Sequence, residues 1–404
     1  MLPQLQLTPE EEQAVKEEVS GLLGRSLARE AEFRRRGGHI SKKEWKQVLV
    51  NDSFRIYKQR KVPRPTSDPS DEVNEGGIKA PELLSMRACN AIDKNAWLTS
   101  FSDEEEESTT SSGSNNSDDP QVPALMCAGY LEGTLEDAIF GSYDGDETMW
   151  RVRTAYMKDK FADARIIATI DSPTYDQPFR FLGIKWFEMA NPAILGTFIH
   201  RRDTLVIEAM GIAVDDRGER YGYYLLHDFR HPRLPELTEL GIVRNSLSMC
   251  YISRQVTPDR VGMYAYGHLD VGGDLLKSVG ISIAATSIAA TANSVETSFS
   301  KKLAYLLSQH ECQRRVTLDQ PALTSSCHSC QRSPSGILSR GLTPCQACRY
   351  SFCSKCCVDR KIVYDVSGSE AELHSVPFCF GCVLQAKQLS PIEVARATLI
   401  PKPQ

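Results

Sequence analysis

Long apolar runs are missing from this sequence. The N-terminal segment MLPQLQLTPEEEQAVKEEVS has no apolar core of a secretory signal and is rich in glutamate instead. A membrane-spanning helix needs about 18–20 predominantly apolar residues. The closest stretch, Ser278–Val295, is rich in small residues and is interrupted by Ser, Thr and Asn. We therefore expect a soluble, cytoplasmic protein.

An excess of positive charge is also missing. The 47 Lys and Arg residues are outnumbered by 52 Asp and Glu residues, which leaves a formal net charge of -5. Such a chain does not attract nucleic acid through its overall field, so we expect no nucleic-acid partner. Hydrophobic residues make up 41% of the 404 residues, so most of the chain can bury a core, and its length predicts two or three folded units.

Catalytic motifs are the third absence. The sequence contains no Gly-x-Ser-x-Gly turn, no phosphate-binding glycine loop and no His-Glu-x-x-His helix. His227 and His231 lie four residues apart, but the segment HDFRHPRLP runs into prolines and is typical of a strand end and loop. A surface pair is favoured over a pair of metal ligands, and we expect no enzymatic activity.

Cysteine is scarce in most of the chain and abundant near its end. Only four of the thirteen cysteines precede residue 327. Eight of the others form four pairs with Cys-x-x-Cys spacing: Cys327 and Cys330, Cys345 and Cys348, Cys353 and Cys356, Cys379 and Cys382. In a reducing compartment, such pairs are more typical of metal sites than of disulfides.

The spacing predicts two structural Zn2+ sites. A Cys-x-x-Cys turn lets two thiolates reach one zinc ion at about 2.3 Å, and eight thiolates complete two tetrahedral sites. Four thiolates per ion leave no open position for water, so a catalytic role for the metal is not expected. The segment is too short to bury much apolar surface, so metal binding would supply its folding free energy.

The central segment CQACRYSFCSKC, Cys345–Cys356, resembles the middle of a FYVE-type finger, which is a small cross-braced double-zinc fold. The resemblance implies that alternate pairs share an ion. One ion would be held by Cys327, Cys330, Cys353 and Cys356, and the other by Cys345, Cys348, Cys379 and Cys382. Cys357 is left spare, and it could replace Cys356 if the register slipped.

The finger departs from the FYVE pattern where that family reads phosphatidylinositol 3-phosphate. The segment Gly341–Gln346, GLTPCQ, has no basic residue or histidine where the family carries its basic run, and Pro377 replaces an arginine. A phosphate group needs charge-assisted donors, so weak or no binding of this lipid is predicted. Ile337 and Leu338 stand where relatives insert apolar side chains into membranes, although local packing explains them equally well.

Residues 1–123 show two kinds of composition. The segment after Thr8, which can cap a helix, carries a glutamate cluster and ends at Gly37–Gly38, and a short strand pair follows around Asn51 and Asp52. Residues 62–123 are rich in Pro, Ser and acidic residues and are expected to be disordered. The acidic run Asp103–Glu107 is better explained as part of a solvated insertion than as a docking site.

The following segment alternates helical and strand patterns. Thr134 and Asp137 resemble a capping box before an apolar helix, and a second short helix fits DETMWRVRTAYMKDK. Six strand-like runs then extend from residue 162 to residue 271, with a tight turn at Asp215–Gly218. Short turns between consecutive strands predict an antiparallel sheet. One long helix, which Asp274 could cap, is predicted to extend to Gln309.

This order of elements is the helix-grip arrangement, and it resembles the START lipid-binding fold. The most telling stretch is Arg201–Asp228, RRDTLVIEAMGIAVDDRGERYGYYLLHD. The resemblance implies an α+β domain in which a curved antiparallel sheet and a long C-terminal helix enclose an apolar tunnel for one hydrophobic ligand. The lipid-binding residues remain unknown. Glu208 or Arg202 could anchor a head group, although solvent-facing salt bridges are the favoured explanation for both.

Strand alternation near Glu208 separates two sets of side chains but leaves open which set faces the interior. Leu205, Ile207 and Ala209 lie on one face, and Val206, Glu208 and Met210 lie on the other. The expected organisation has five parts: the N-terminal helix and first strands at 1–61, the insertion at 62–123, the main START-like body at 124–310, the finger at 320–390 and a tail at 391–404.

Together the two resemblances imply a non-enzymatic protein that binds or senses lipid. Its FYVE-like finger would dock to an endomembrane or to a protein partner, and the protein would be cytoplasmic and peripheral on endosomal membranes. The alternative is a zinc-finger interaction adaptor whose START-like fold has a filled core and binds no lipid. The sequence leaves the lipid ligand and the oligomeric state open.

Overall fold

The structure is a computed structural model that describes residues 2–51, 54–60, 122–157, 161–189, 200–273, 277–317, 325–333, 341–366 and 371–400. Several sequence-based interpretations lie outside these residues. They are nearly all of the insertion predicted at 62–123, the cap at Asp274, and the roles considered for Ile337 and Leu338.

The N-terminal helix α1, Pro9–Arg35, begins with the capping arrangement that its sequence predicts. The hydroxyl of Thr8 accepts a hydrogen bond from the backbone N–H of Glu11, and the carboxylate of Glu11 accepts one from the N–H of Thr8. Two orphan N–H groups of the first turn are thereby satisfied. The helix ends before Gly37 and Gly38, which both adopt positive φ. The predicted helix is confirmed.

The main sheet is built from ten strands among the described residues. They are β1 (Trp45–Val50), β2 (Phe54–Gln59), β3 (Leu125–Glu132), β4 (Phe161–Asp171), β5 (Phe181–Met189), β6 (Arg201–Val214), β7 (Arg220–Asp228), β8 (Ile242–Arg244), β9 (Ser246–Thr257) and β10 (Arg260–Asp270). Their order is β1-β2-β3-β10-β9-β7-β6-β5-β4, and β8 pairs with the start of β6. Every pair is antiparallel except β6 with β8.

Helices cover both faces of this sheet. On one face, Val15 and Val19 of α1 pack with Ile184 and Ile207 of the strands. The other face is covered by α2 (Leu135–Ser142), which contacts β6, β7 and β9, and by α4 (Lys277–Ala290), which contacts β1, β2 and β10. A short helix α3, Glu147–Met157, follows α2. This is the helix-grip arrangement, and the predicted α+β fold class is confirmed.

The predicted long C-terminal helix of the body is confirmed from Lys277 onward, and it contains one local 3-10 turn. α4 ends at Ala290, a 3-10 turn spans Thr291–Asn293, and α5 runs from Ser294 to Thr317. The hydroxyl of Thr291 donates to the carbonyl of Ile288 at 2.6 Å, a side-chain bond that competes with regular helical bonding. The break lets α4 follow the sheet while α5 packs on α2.

The stretch Lys277–Cys312 is, by length and composition, long and apolar enough to cross a membrane, although it contains no uninterrupted apolar run of that length. Core helices of soluble proteins meet the same criterion. In this chain, Ala284 and Ile288 lie in the body core and Leu303 lies in the core of the finger.

The finger is packed against the body through α5. Its elements are β11 (Thr343–Pro344), β12 (Ser351–Phe352), β13 (Cys357–Asp365), β14 (Glu372–Cys379) and α6 (Phe380–Gln388). Leu303, Leu306 and Leu307 of α5 share one buried cluster with Cys345 and Phe378 of the finger. Body and finger are therefore joined by a common apolar core.

Residues 391–404 are a tail in the sequence-based division, but most of them form a helix that belongs to the body. α7 spans Pro391–Leu399, and its Val394 and Ala395 are buried in the same core as α2. The guanidinium of Arg396 lies 4.0 Å from the ring centroid of Tyr175 and donates to the Tyr175 carbonyl at 2.9 Å. Sequence reasoning missed α7 although local signals were present. Ser390 caps the helix by accepting from the N–H of Glu393, and Pro391 stands at its start.

We predict that Ala395→Glu destabilises the body strongly. Ala395 is fully buried, so the change places an unpaired carboxylate and extra volume in a packed core, which costs about 3 kcal/mol or more. Thermal or urea unfolding measures the loss. Ala397→Glu, the same change on the exposed side of α7, serves as the matched control and should change stability little. Equal stability of the two variants would contradict the docking of α7.

Candidate functional site

The finger brings eight of its cysteines into two groups of four. The Sγ atoms within each group all lie within 4.8 Å of one another. The first group is Cys327, Cys330, Cys353 and Cys356, and the second is Cys345, Cys348, Cys379 and Cys382. Alternate pairs thus share a site, as the FYVE resemblance implies. Cys356, and not Cys357, lies in the first group.

The donor set and its dimensions suit structural zinc. The Sγ atoms of Cys330 and Cys353 are 3.8 Å apart, and those of Cys348 and Cys379 are 3.9 Å apart. Four sulfurs at about 2.3 Å from a tetrahedral zinc ion would be separated by about 3.8 Å, whereas a disulfide joins its sulfurs at about 2.05 Å. Soft thiolates in a closed set of four match a structural site without a water position.

The first two cysteine pairs sit in matching turns. The N–H of Gln331 donates to the carbonyl of Cys327, and the N–H of Arg349 donates to the carbonyl of Cys345, each at 2.8–2.9 Å. In both turns the residue after the second cysteine is left-handed, with φ of 58° at Gln331 and 66° at Arg349. These are the non-glycine residues with positive φ in the described part of the chain.

Glycine at these two positions should stabilise the finger. A side chain in the left-handed region carries a steric cost that glycine avoids, so Gln331→Gly and Arg349→Gly should each gain about 0.5–1 kcal/mol. Thermal unfolding of the zinc-loaded protein measures the gain. Ser329→Gly is the control, because Ser329 lies in the same turn without a left-handed backbone. A gain for Ser329→Gly equal to the others would contradict this explanation.

Backbone N–H groups also point at the sulfurs of the second group. The N–H of Cys379 donates to Cys345 Sγ at 3.3 Å, and the N–H of Cys382 donates to Cys379 Sγ at 3.4 Å. Such donors stabilise negatively charged sulfur, which is the form that binds metal. In the second group these donors would stabilise the thiolate forms of Cys345 and Cys379 that a metal ion requires.

A second cluster consists of buried charged groups and lies on the side of the sheet that α2 and α4 cover. The ammonium of Lys185 on β5 lies 2.7 Å from an oxygen of Asp144 and 2.7 Å from an oxygen of Glu208 on β6. The hydroxyl of Tyr224 donates to the other Glu208 oxygen at 3.2 Å, and Arg153 lies 3.5 Å from Asp144. All five side chains are buried. We call these five residues the buried charge cluster.

The structure decides what sequence alternation left open around Glu208. Ile207 packs toward α1, whereas Met210 and Tyr224 pack in the core beneath α2 and α4. Glu208 shares the side of Met210 and is 2% exposed, so the solvent-facing salt bridge favoured from sequence is wrong for this residue. The signal for the cluster was Lys185, a charged residue inside the apolar strand FLGIKWFEM.

Arg202, the other candidate anchor, is also buried and not solvent-facing. Its guanidinium donates to the backbone carbonyls of Val271 at 2.9 Å and His200 at 2.7 Å, and more weakly to Gly272. These bonds hold the end of β10 to the start of β6. The Arg202 side chain therefore joins two backbone segments and is not placed to anchor a ligand.

The two histidines considered as ligands make separate contacts with α1. The Nε2 atom of His227 lies 3.1 Å from Glu18, and that of His231 lies 3.1 Å from Glu11. The structure does not bring them together with other metal-binding side chains, since the described residues hold metal-binding groups of three or more only in the two cysteine sets.

Burial and neighbouring charges shift the pKa values of the two carboxyl groups of the cluster in opposite directions. Burial raises the pKa of Glu208 to about 8, and the charge of Asp144 adds to the rise. Burial alone would also raise the pKa of Asp144, but the charges of Lys185 and Arg153 lower it to about 2. Burial therefore favours the protonated form of Glu208, and the two neighbouring cations favour the ionised form of Asp144.

The pKa of Glu208 predicts a distinctive pH dependence of stability. Because its folded-state pKa lies above the ordinary value, its contribution is fully present below about pH 4.5 and is lost as the pH rises through 8. Between pH 5 and pH 8 the wild type should lose on the order of 3–4 kcal/mol relative to Glu208→Gln. Urea unfolding at several pH values measures the difference. Parallel stability curves for the two proteins would contradict the assignment.

The wild type must be compared with Glu208→Gln because the titration of Lys301 changes stability with pH in the opposite direction to that of Glu208. Burial lowers the pKa of Lys301 to about 7, so its contribution is lost as the pH falls from about 10.5 toward 7. The ammonium nevertheless donates to the carbonyls of Phe140 and Tyr143 at the end of α2. Lys301 is present in both proteins. Subtracting the stability-versus-pH curve of Glu208→Gln from that of the wild type therefore cancels its contribution.

No protein-family model and no curated protein sequence matches this chain. Among solved structures, it is similar to human StAR-related lipid transfer protein 5, with 12% identity over 71% of this chain and 97% of that chain at a TM-score of 0.39. It is also similar to human STARD10, with 12% identity, coverage of 72% and 89%, and a TM-score of 0.37. The human StarD13 lipid transfer and protein localization domain matches with 12% identity, coverage of 67% and 96%, and a TM-score of 0.35.

Proposed function

We propose that this chain is a non-enzymatic lipid-binding or lipid-sensing protein. The helix-grip body would take one hydrophobic ligand, and the finger, with two structural Zn2+ ions, would dock the protein to an endomembrane or a protein partner. The observation that carries the proposal is the buried charge cluster, which lies among buried apolar and aromatic side chains on the side of the sheet that α2 and α4 cover. A few polar groups in an apolar enclosure are what orients a ligand in a binding site.

Within the body, the cluster would act on the polar end of the ligand. Lys185, Arg153 and Tyr224 supply the donor groups of the cluster. Apolar area removed from water would provide the binding free energy, and these donors would set the orientation.

Within the finger, the zinc ions would be structural. The first cysteine group would hold one ion and the second group the other, and the metal would supply folding free energy and no chemistry. The cysteines organise the turns, and the shared core with α5 fixes the finger on the body.

Native mass spectrometry of the protein purified from cells tests the lipid proposal. We expect a co-purifying lipid on the wild type, and a reduced or altered lipid population on Glu208→Gln. Glu236→Gln, which changes an exposed glutamate, is the control and should retain the wild-type ligand. Protein that carries two zinc ions and no lipid would sink the lipid proposal.

That last outcome would favour the interaction adaptor. The observation on its side is the aromatic content of the same core, where Phe140, Tyr143 and Phe181 are buried to within 2%. An aromatic core of this kind can fill the interior with the protein's own side chains. The finger would then bind protein alone.

For the finger, we propose weak or no recognition of phosphatidylinositol 3-phosphate. The segment Gly341–Gln346 contains no cationic side chain, and Pro377 offers no donor. Flotation with neutral liposomes, with and without this lipid, should give the same bound fraction. Selective flotation with the phosphoinositide would contradict the proposal.

A further inference from the structure

Cys357 is the one cysteine of residues 327–382 that lies outside both four-sulfur groups. It directly follows Cys356 of the first group and begins β13. Its partner across the β13–β14 ladder is Cys379 of the second group. The spare thiol is therefore adjacent in sequence to one site and adjacent in space to the other.

The ladder places Cys357 and Cys379 in a non-hydrogen-bonded pair. The N–H of Phe380 donates to the carbonyl of Cys356 at 3.3 Å, so the hydrogen-bonded position is the one before Cys357. In agreement, the N–H of Cys379 turns away from the ladder and donates to Cys345 Sγ. Opposite residues in such a pair have Cα atoms about 4.5 Å apart and side chains on the same face.

This spacing lies within the range that a disulfide can bridge, since bridged Cα atoms are usually about 4.4–6.8 Å apart. In the structure neither cysteine is part of a disulfide. Cys357 is half-buried and so partly open to solvent, whereas Cys127 and Cys250 in the body are buried.

We propose that Cys357 is an oxidation site that couples redox state to the second metal site by forming a disulfide with Cys379. Hydrogen peroxide oxidises the Cys357 thiol to a sulfenic acid, and its other oxygen leaves as water. The Cys379 sulfur then attacks the Cys357 sulfur, the S–O bond breaks, and the leaving hydroxide takes a proton to become water. In total, the Cys357 thiol and the Cys379 thiolate released from the metal lose two electrons, and one hydrogen peroxide with one proton from solvent becomes two water molecules.

The consequence follows from the place of Cys379. Its withdrawal leaves Cys345, Cys348 and Cys382 as three sulfurs, which is one fewer than a closed structural site needs. Cys379 also caps α6, because its sulfur accepts from the N–H of Cys382. Oxidation would thus release one metal ion and loosen the helix that packs on α5. A dithiol reductant would reverse the change, because a disulfide is reduced by thiol exchange.

The inference rests on the metal sites of the proposed function, and the experiment separates the two. Zinc-loaded full-length protein is first analysed for metal content, and two ions per chain establish the sites. It is then treated with one molar equivalent of hydrogen peroxide, and released zinc is followed with a colorimetric chelator. Peptide mapping without reduction identifies the disulfides formed.

We expect the wild type to release one of its two zinc ions and to show a Cys357–Cys379 disulfide. Cys357→Ser should keep two ions before treatment and release none over the same time. Cys312→Ser, which removes an exposed cysteine on α5, should behave as the wild type. Release at the wild-type rate from Cys357→Ser, or disulfides formed solely among metal-binding pairs, would overturn the inference. A protein without zinc at the outset would instead overturn the metal sites.

Discussion

Cys345→Ser should remove one zinc ion and unfold the finger. Cys345 is fully buried, its Sγ accepts the N–H of Cys379, and it packs in the cluster that contains the leucines of α5. Structural zinc contributes about 10–16 kcal/mol of apparent binding free energy in zinc-finger peptides, which matches or exceeds the roughly 5–15 kcal/mol stability of a whole domain. A finger that loses this binding free energy cannot remain folded.

Elemental analysis and limited proteolysis check this result. Zinc content should fall from two ions to one or fewer, and protease should cut within residues 341–388 while the sheet of the body survives. Cys357→Ser is the matched control, because Cys357 lies in the finger but outside both groups. It should retain both ions and resist the protease. Two ions on Cys345→Ser would refute its assignment as a ligand.

Lys185→Met should be the most damaging single change in the body. The ammonium lies 2.7 Å from both Asp144 and Glu208, and all three side chains are buried. Removing one partner of a buried ion pair leaves uncompensated charge and typically costs about 3–5 kcal/mol. The remaining Asp144 charge would retain only Arg153, at 3.5 Å. Urea unfolding measures the loss.

The double variant Lys185→Met with Asp144→Asn tests the electrostatic cause. Without the Asp144 charge, part of the lost stability should return, because the second change removes the orphaned ion. Lys16→Met is the control, since Lys16 pairs with Asp171 at the surface and is 41% exposed. Exposed pairs contribute about 0–1 kcal/mol. A cost of Lys185→Met no larger than that of Lys16→Met would contradict the buried charge cluster.

Local features of the fold could be predicted from sequence where the interaction spans a few residues. The cap at Thr8 and the turn at Asp215–Gly218 are confirmed. The strand β3 was missed because LMCAGYLE is buried at several consecutive positions and does not alternate. The break at Thr291–Asn293 was missed because a hydroxyl that competes with helical bonding looks like any other threonine in the sequence.

Long-range features needed the folded chain. Whether Glu208 faces α1 or α2 depends on which helix covers which face of β6, and strand alternation is the same in either case. The role of Arg202 depends on carbonyls near residue 271, about seventy residues away in the sequence. The helix α7 is buried only because α2 and α5 offer it a face.

The sequence by itself determined that this chain has an antiparallel sheet closed by helices and a finger with four cysteine pairs, because side-chain period and two-residue spacing are local properties. The tertiary structure alone decided that the finger shares its core with α5, that a charge cluster lies inside the body, and that Cys357 faces Cys379. Each of these depends on contacts between residues far apart in the chain, and such contacts are selected by packing and strand register, not by local sequence.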